Sequence, residues 1–286
     1  MITESKITVI RDIIKKWQKK DFSICLVPTM GFFHEGHIAL MKKGRQIADK
    51  VIVSLFVNPT QFGPGEDLDK YPQDLEGDSR RAENAGVDLL FCPGVSEIYQ
   101  ENHQATVQVT ELAQGMCGLN RPEHFKGVTT VVSKLFNIVE PDMAVFGEKD
   151  FQQLAIIKKM VTDLNFPVEI IGHEIVREPD GLAMSSRNAY LEPNERSVAP
   201  VLFKALDMIR KQVETSDTLL ASKPLLQSAE KLIHTYTECS VDYMTIVDPS
   251  TLKPKLRIDG ECRVAGAIKI NSRIRLIDNM SLRYKI

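Results

Sequence analysis

Two histidines three residues apart, His34 and His37, flank Glu35-Gly36 where an apolar run of strand length ends and a helical pattern begins. The run is Ile24-Cys25-Leu26-Val27. A Pro28-Thr29-Met30-Gly31-Phe32-Phe33 turn follows it. Beyond the histidines come Ile38-Ala39-Leu40-Met41, Ile47 and Ala48 at helical spacing. A strand-to-helix turn of this kind is a phosphate site by construction, because the helix N-terminus presents unpaired N–H groups and a partial positive charge. Two imidazoles placed there can add donors to phosphate oxygens, and Gly36 lets a ligand approach the backbone closely. The same residues could instead be a metal-binding pair or plain helix caps. No Cys, Asp or third His is spaced nearby to complete a zinc set.

Four more polar segments follow apolar runs or precede helical ones. Asn58-Pro59-Thr60-Gln61 supplies two side-chain amides, which both donate and accept and suit a carboxylate substrate with hydroxyls. Gly147-Glu148-Lys149-Asp150-Phe151-Gln152-Gln153 offers a lysine for phosphate, an acidic residue for a cation or ribose hydroxyl, and Gln153 one turn into a helix. Met184-Ser185-Ser186-Arg187, after a Pro179-Asp180-Gly181 turn, offers two hydroxyls and a guanidinium for polyphosphate. Arg121-Pro122-Glu123-His124-Phe125-Lys126-Gly127 is basic and turn-rich, a loop able to clamp an anion ahead of a helix starting near Val128. Each alone also reads as a turn, a capped helix start or a polar linker. Together, at one end of one sheet, they describe a nucleotide site with a second substrate beside it.

These segments need a parallel sheet to position them. Strand-like runs at 24–27, 51–57, 87–91, 143–146 and 168–171 alternate with helical patterns at 36–49, 74–85, 127–139 and 150–164. An amphipathic helix built on Ile7, Ile10, Ile13, Ile14 and Trp17 precedes them. Continuous apolar strands separated by helices predict a Rossmann-like, doubly wound α/β fold. The glycine-rich dinucleotide fingerprint is absent after the first strand, and the His-x-Gly-His turn takes its place. The pattern changes near Ile175. A helical region at 194–235 precedes strands at 241–247, 262–270 and 272–277, which predicts a smaller α+β domain with an antiparallel sheet. The expected domains are therefore 1–175 and 176–286. The 286 residues carry a net charge of −2, which points to neither a nucleic-acid nor a membrane partner. Five scattered cysteines with no CxxC fit a reducing compartment. No run approaches the roughly 18 apolar residues of a membrane span, and no signal peptide is recognisable. A cytoplasmic location is expected.

The chain resembles the pantoate–β-alanine ligase family along essentially its whole length, more weakly beyond about residue 195. The matching motifs are Pro28-Thr29-Met30-Gly31 with His34-x-Gly36-His37; Phe56-Val57-Asn58-Pro59-x-Gln61-Phe62; Arg121-Pro122-x-His124-Phe125; Phe146-Gly147-Glu148-Lys149-Asp150-Phe151-Gln152-Gln153; and Ser185-Ser186-Arg187-Asn188. The resemblance implies ATP-dependent condensation of pantoate with β-alanine through a pantoyl adenylate, giving pantothenate, AMP and pyrophosphate. It also implies Mg²⁺ with ATP, no organic cofactor, and a homodimer formed through the N-terminal domain. By the same resemblance His37, His34, Lys149 and Arg187 are catalytic, with His37 in the position of the family's proton donor. Met30, Gly31, Gly36, Gly147, Glu148, Asp150, Val176, Met184, Ser185 and Ser186 join these in framing ATP. Gln61, Gln153, Asn58 and His124 hold pantoate or β-alanine, and His124 and Arg121 lie on a loop that closes over the phosphates. The Met184–Arg187 stretch corresponds to the KMSKS loop of class I aminoacyl-tRNA synthetases. Glu35 replaces a common Asp and Thr60 a common Met. Gly77 stands where relatives often carry a metal-associated acid, which leaves Asp78 as the metal candidate. The alternative activity is nucleotidyl transfer to another substrate by the same His-x-Gly-His superfamily.

Overall fold

The computed structural model describes residues 1–284. The elements in chain order are β1 Ile2–Glu4, α1 Ile7–Gln18, β2 Ile24–Thr29, α2 Glu35–Ile47, β3 Lys50–Leu55, α3 Leu75–Asn84, β4 Leu89–Phe91, α4 Val95–Ile98, α5 Cys117–Asn120 and α6 His124–Val139. They continue with β5 Met143–Gly147, α7 Phe151–Asp163, β6 Glu169–His173, α8 Pro193–Val198, α9 Val201–Thr215, α10 Ser222–Ile233, β7 Cys239–Val247, β8 Glu261–Ile270 and β9 Ile274–Arg283. The chain divides into two compact units. One comprises Met1–Ala113, Arg121–Glu148 and Ile156–Glu174; the other comprises Gln114–Asn120, Lys149–Ala155 and Ile175 onward. The main break at 174/175 lies beside the expected one, but a single cut does not show that 114–120 and 149–155 group with the second unit.

The first unit is built on a six-stranded parallel sheet in the order β1-β4-β3-β2-β5-β6. Side chains alternate between its two faces along each strand. Cys25, Val27, Val51, Val53, Leu90 and Val145 form one core with Phe33, Ile38, Leu40 and Met41 from the α2 segment. Ile24, Leu26, Ile52, Leu89 and Ala144 alternate with these and are also fully buried. The sheet is thus covered on both sides, which is why its strands read as unbroken apolar runs. The three-residue edge strand β1 was not among the expected strands. It is largely exposed and takes its place from pairing with Leu89–Phe91 rather than from its own apolar pattern. The strand order reverses between β2 and β5, so the carboxyl ends of these two strands flank the crevice where such sheets bind ligands.

The second unit holds the antiparallel sheet β7-β8-β9. Leu202, Leu206 and Ile209 of α9 and Ala229 and Ile233 of α10 share a core with Val264, Ile268, Leu276 and Leu282 of the sheet. Strand β9 runs to Arg283, six residues past the expected end at Ile277. Among the described residues no helix is long and apolar enough to cross a membrane.

Candidate active site

His34 is the N-cap of α2, and the two histidines cap the helix reciprocally. The Gly36 N–H donates to His34 Nδ1 at 3.1 Å, and the His34 N–H donates to His37 Nδ1 at 3.4 Å. The ring centroids lie 4.1 Å apart. The His37 and Ile38 N–H groups donate to the His34 carbonyl. Much of the first turn's donor capacity is therefore used locally rather than left for an anion. With each Nδ1 accepting, the neutral imidazole carries its proton on Nε2.

The turn before the histidines is held from α3. Gly31 and Phe32 both have positive φ, 89° and 53°. This places the Phe32 and Phe33 N–H groups on one carboxylate, Asp78, at 2.6 Å each. Arg81, one helical turn further along α3, donates to the Phe33 carbonyl. Asp78 is only 1% exposed. Burial pushes its carboxyl above the ordinary range, opposed by the two backbone N–H groups. Each Asp78 oxygen accepts one backbone N–H, so in this structure the residue braces the turn. No group of three or more His, Cys, Asp or Glu able to hold a metal occurs among the described residues. Gly77 supplies no acid, and the Asp74 carboxylate that caps α3 through the Gly77 N–H fills the space where a side chain would start.

Gln61, buried on a short turn after β3, accepts from Asn58 Nδ2 at 3.2 Å and donates to Met30 Sδ at 3.2 Å. Asn58 Nδ2 also donates to the Gly127 carbonyl, while its Oδ1 accepts from Tyr99 Oη, Thr60 Oγ1 and the Thr60 N–H. The Asn58 amide, expected among the substrate ligands, holds Gln61 in this structure. Thr60 fits the chain's own pocket, because its hydroxyl joins both Asn58 and Tyr99. Arg121 lies between α5 and α6, where the loop was expected. His124 begins α6 instead of lying on a loop, and its Nδ1 donates to the Gln61 carbonyl at 2.8 Å. Arg121 donates to the same carbonyl at 3.2 Å and makes a two-pronged pair with Glu66 at 2.6 Å for each bond. Burial resists the Glu66 charge, but the Arg121 hydrogen bonds and charge outweigh it and hold the carboxyl below its usual range.

This clamp requires Gly127. A Cβ there would run into the Thr60 carbonyl and lie 2.7 Å from the Gln61 nitrogen. Gly127→Ala is expected to push α6 off the Gln61 turn, costing about 1–3 kcal/mol of stability as an overpacked contact does. It should also raise the pantoate KM, and thermal unfolding with pantoate titration checks both.

In the second unit, Lys149 Nζ lies 3.4 Å from the Asp150 carboxylate, and its carbonyl accepts from Asn279 Nδ2 at 3.0 Å. Gln153 lies half-buried in the first turn of α7. Neighbouring Gln152 is structural, bridging the Cys117 N–H and the Gly115 carbonyl. The Met184 N–H donates to the Val176 carbonyl, and Arg177 bridges to Ala183, so the Ser185–Arg187 stretch leaves a short hairpin. Ser185 caps the following turn by accepting from the Arg187 N–H at 3.3 Å, and Ser186 is buried. Gly147 ends β5, pairing with His173, and Glu148 follows directly. Asp78 as a brace, Gly127, Asp278 and Asn279 were not anticipated as site residues. Gly127 carried a signal: glycine in the first turn of an otherwise apolar helix is costly unless another backbone comes close.

Residues 2–281 match the sequence profile of the family described as pantoate-beta-alanine ligase. A pantothenate synthetase from Desulfotalea psychrophila is 50% identical over 277 residues, covering 96% of each chain. A crystal structure of pantothenate synthetase from Thermus thermophilus superposes with a TM-score of 0.92 at 44% identity, covering 98% of this chain and 99% of that one. A pantoate-beta-alanine ligase from Francisella tularensis, solved in complex with beta-gamma ATP and β-alanine, matches with a TM-score of 0.80 at 33% identity, covering 98% of this chain and 97% of that one. Sequence and fold thus agree across nearly the whole length, and the chain belongs to the pantoate–β-alanine ligase family.

Proposed function

We propose that His34 and His37 stabilise the charge that develops on ATP phosphates as pantoate is adenylated. As a member of its family the chain is an AMP-forming carboxylate–amine ligase that joins pantoate to β-alanine. A pantoate carboxylate oxygen attacks the α-phosphorus, the bond to the β-phosphate oxygen breaks, and pyrophosphate leaves. The β-alanine amine then attacks the acyl carbon and AMP departs. Catalysis of the first step is mainly positioning and charge stabilisation. The observation that carries the reading is the reciprocal cap, which fixes both rings with Nδ1 accepting and the proton on Nε2.

Lys149 and Arg187 are proposed to meet the transferring and leaving phosphates, with Ser185 and Ser186 on the β,γ end. Met30, Gly31, Gly36, Gly147, Glu148, Asp150, Val176 and Met184 frame the nucleotide. Gln61 and Gln153 take the hydroxyl and carboxylate oxygens of pantoate, and Gln61 also orients the amine. Mg²⁺ enters with ATP, carried by the triphosphate itself. Family membership supports a homodimer and a cytoplasmic location.

Gln61→Ala tests the substrate half of the reading. It is expected to raise the pantoate KM roughly tenfold, because it leaves polar groups of the substrate unpaired. The ATP KM should stay within about twofold. An unchanged pantoate KM would refute the assignment.

A further inference from the structure

The geometry points to Asp278 and Asn279, consecutive residues in β9, as positioning residues that tie together the Lys149 turn and the Met184–Arg187 segment. Both are buried polar residues inside a strand, and each serves a different segment. Asp278 accepts two hydrogen bonds from the Arg177 guanidinium, at 2.6 and 2.9 Å. Arg177 also donates to the Gly181 carbonyl at 2.9 Å and stacks over the Phe203 ring at 4.7 Å. It thereby closes the hairpin that leads directly into Ser185 and Arg187. Gly181, with φ of 94°, sits so tightly on Phe203 that a Cβ would strike the ring. Asn279 works on the other segment: its Nδ2 donates to the Lys149 carbonyl at 3.0 Å, and its Oδ1 accepts from Arg263 at 2.6 Å. Arg263 in turn stacks over Phe151, two residues after Lys149. The Asn279 N–H donates to Asp278 Oδ1 at 2.7 Å, which joins the two arms.

Neighbouring strand residues face opposite sides of a sheet. One strand step therefore sets the spacing between the two segments. A bidentate, desolvated Arg–carboxylate pair is geometrically demanding. Burying it in a small three-stranded sheet is hard to explain by stability alone, since an apolar pair of similar volume commonly does as well. Holding two phosphate-directed segments in register explains it.

The inference rests on the assignment of Lys149 and Ser185–Arg187 to the phosphates, and it makes a demand on the two half-reactions. Adenylation needs pyrophosphate to be held and released. The attack of β-alanine on preformed pantoyl adenylate does not. In Asn279→Ser, which removes the Lys149 tether, and in Asp278→Asn, which weakens the Arg177 tether, adenylation measured by pyrophosphate release should fall about 10- to 100-fold through misplaced groups. Conversion of supplied pantoyl adenylate and β-alanine to pantothenate should fall severalfold less, because of the two phosphate groups these segments meet only the transferring one remains in it. Wild-type adenylation in a folded variant, or a proportional loss of both half-reactions, overturns the inference. Hydrogen exchange on the unaltered protein gives a second reading that needs no variant. The Met184 and Asn279 amides should open in one step; a Met184 amide that exchanges far faster than β9 also overturns it. Lys149→Ala separates the two levels. If it adenylates normally, the phosphate assignment itself fails. If it does not, and Asn279→Ser does, only the tether fails.

Discussion

His37→Ala is expected to slow pantoyl-adenylate formation by about 10²-fold or more, the loss typical of removing one preorganised donor from developing charge. The structure adds a reason to expect the upper part of that range. His37 Nδ1 also accepts the His34 N–H, so its removal frees the second ring of the cap as well as deleting the first. The double variant His34→Ala/His37→Ala should therefore lose much less than the product of the single losses, because the two side chains act as one unit. His37→Asn separates the roles. Its amide oxygen can still accept from the N-cap, but it does not put a donor where the imidazole Nε2–H lies. It should keep α2 capped, with thermal stability near that of the unaltered protein, yet adenylate almost as slowly as the alanine variant. Single-turnover pyrophosphate release at saturating ATP and pantoate measures this. A wild-type rate in His37→Ala would remove the histidines from the phosphate chemistry. The β-alanine half-reaction, fed with pantoyl adenylate, should be nearly untouched, since no pyrophosphate forms in it.

The parallel sheet and its strand-to-helix turn were legible because both depend on local rules: apolar runs of strand length, and a His-x-Gly-His string where a strand becomes a helix. Less legible were partners that lie far along the chain. Asn58 and His124 carry the same polar groups a ligand site needs, yet Gly127 and Tyr99 occupy the first and the Gln61 carbonyl engages the second. Asp278-Asn279 looks like the polar end of a strand, so the expected strand stops at Ile277. Only the Arg177 and Lys149 contacts, each more than a hundred residues away, show why those polar groups continue into the buried sheet. Sequence patterns report which face a residue lies on. They do not report whether a buried polar group is turned toward a ligand or toward the chain itself.

Asp78 is the sharpest case, and its replacement is expected to have the second large effect. Asp78→Ala leaves the Phe32 and Phe33 N–H groups without their acceptor, at a cost of about 1–3 kcal/mol for each that water cannot reach. Phe32 also sits at positive φ, which a residue with a side chain tolerates only when its surroundings enforce it. Without the carboxylate the turn should relax toward ordinary backbone geometry and carry His34, two residues on, away from its capping position. Adenylation should then fall about 10²-fold, as it does when reacting groups are misplaced by about an ångström. Urea unfolding and single-turnover adenylation measure the two losses in the same protein. A metal role and a bracing role differ in their response to Mg²⁺. If Asp78 held the ion, a large excess of Mg²⁺ would restore part of the rate and the half-saturating Mg²⁺ concentration would rise. If Asp78 braces the turn, that concentration stays within about twofold and no excess of Mg²⁺ rescues the rate. Arg81→Ala, which releases the Phe33 carbonyl from the exposed side of α3, should then produce a milder loss of the same kind, with Mg²⁺ dependence equally unchanged.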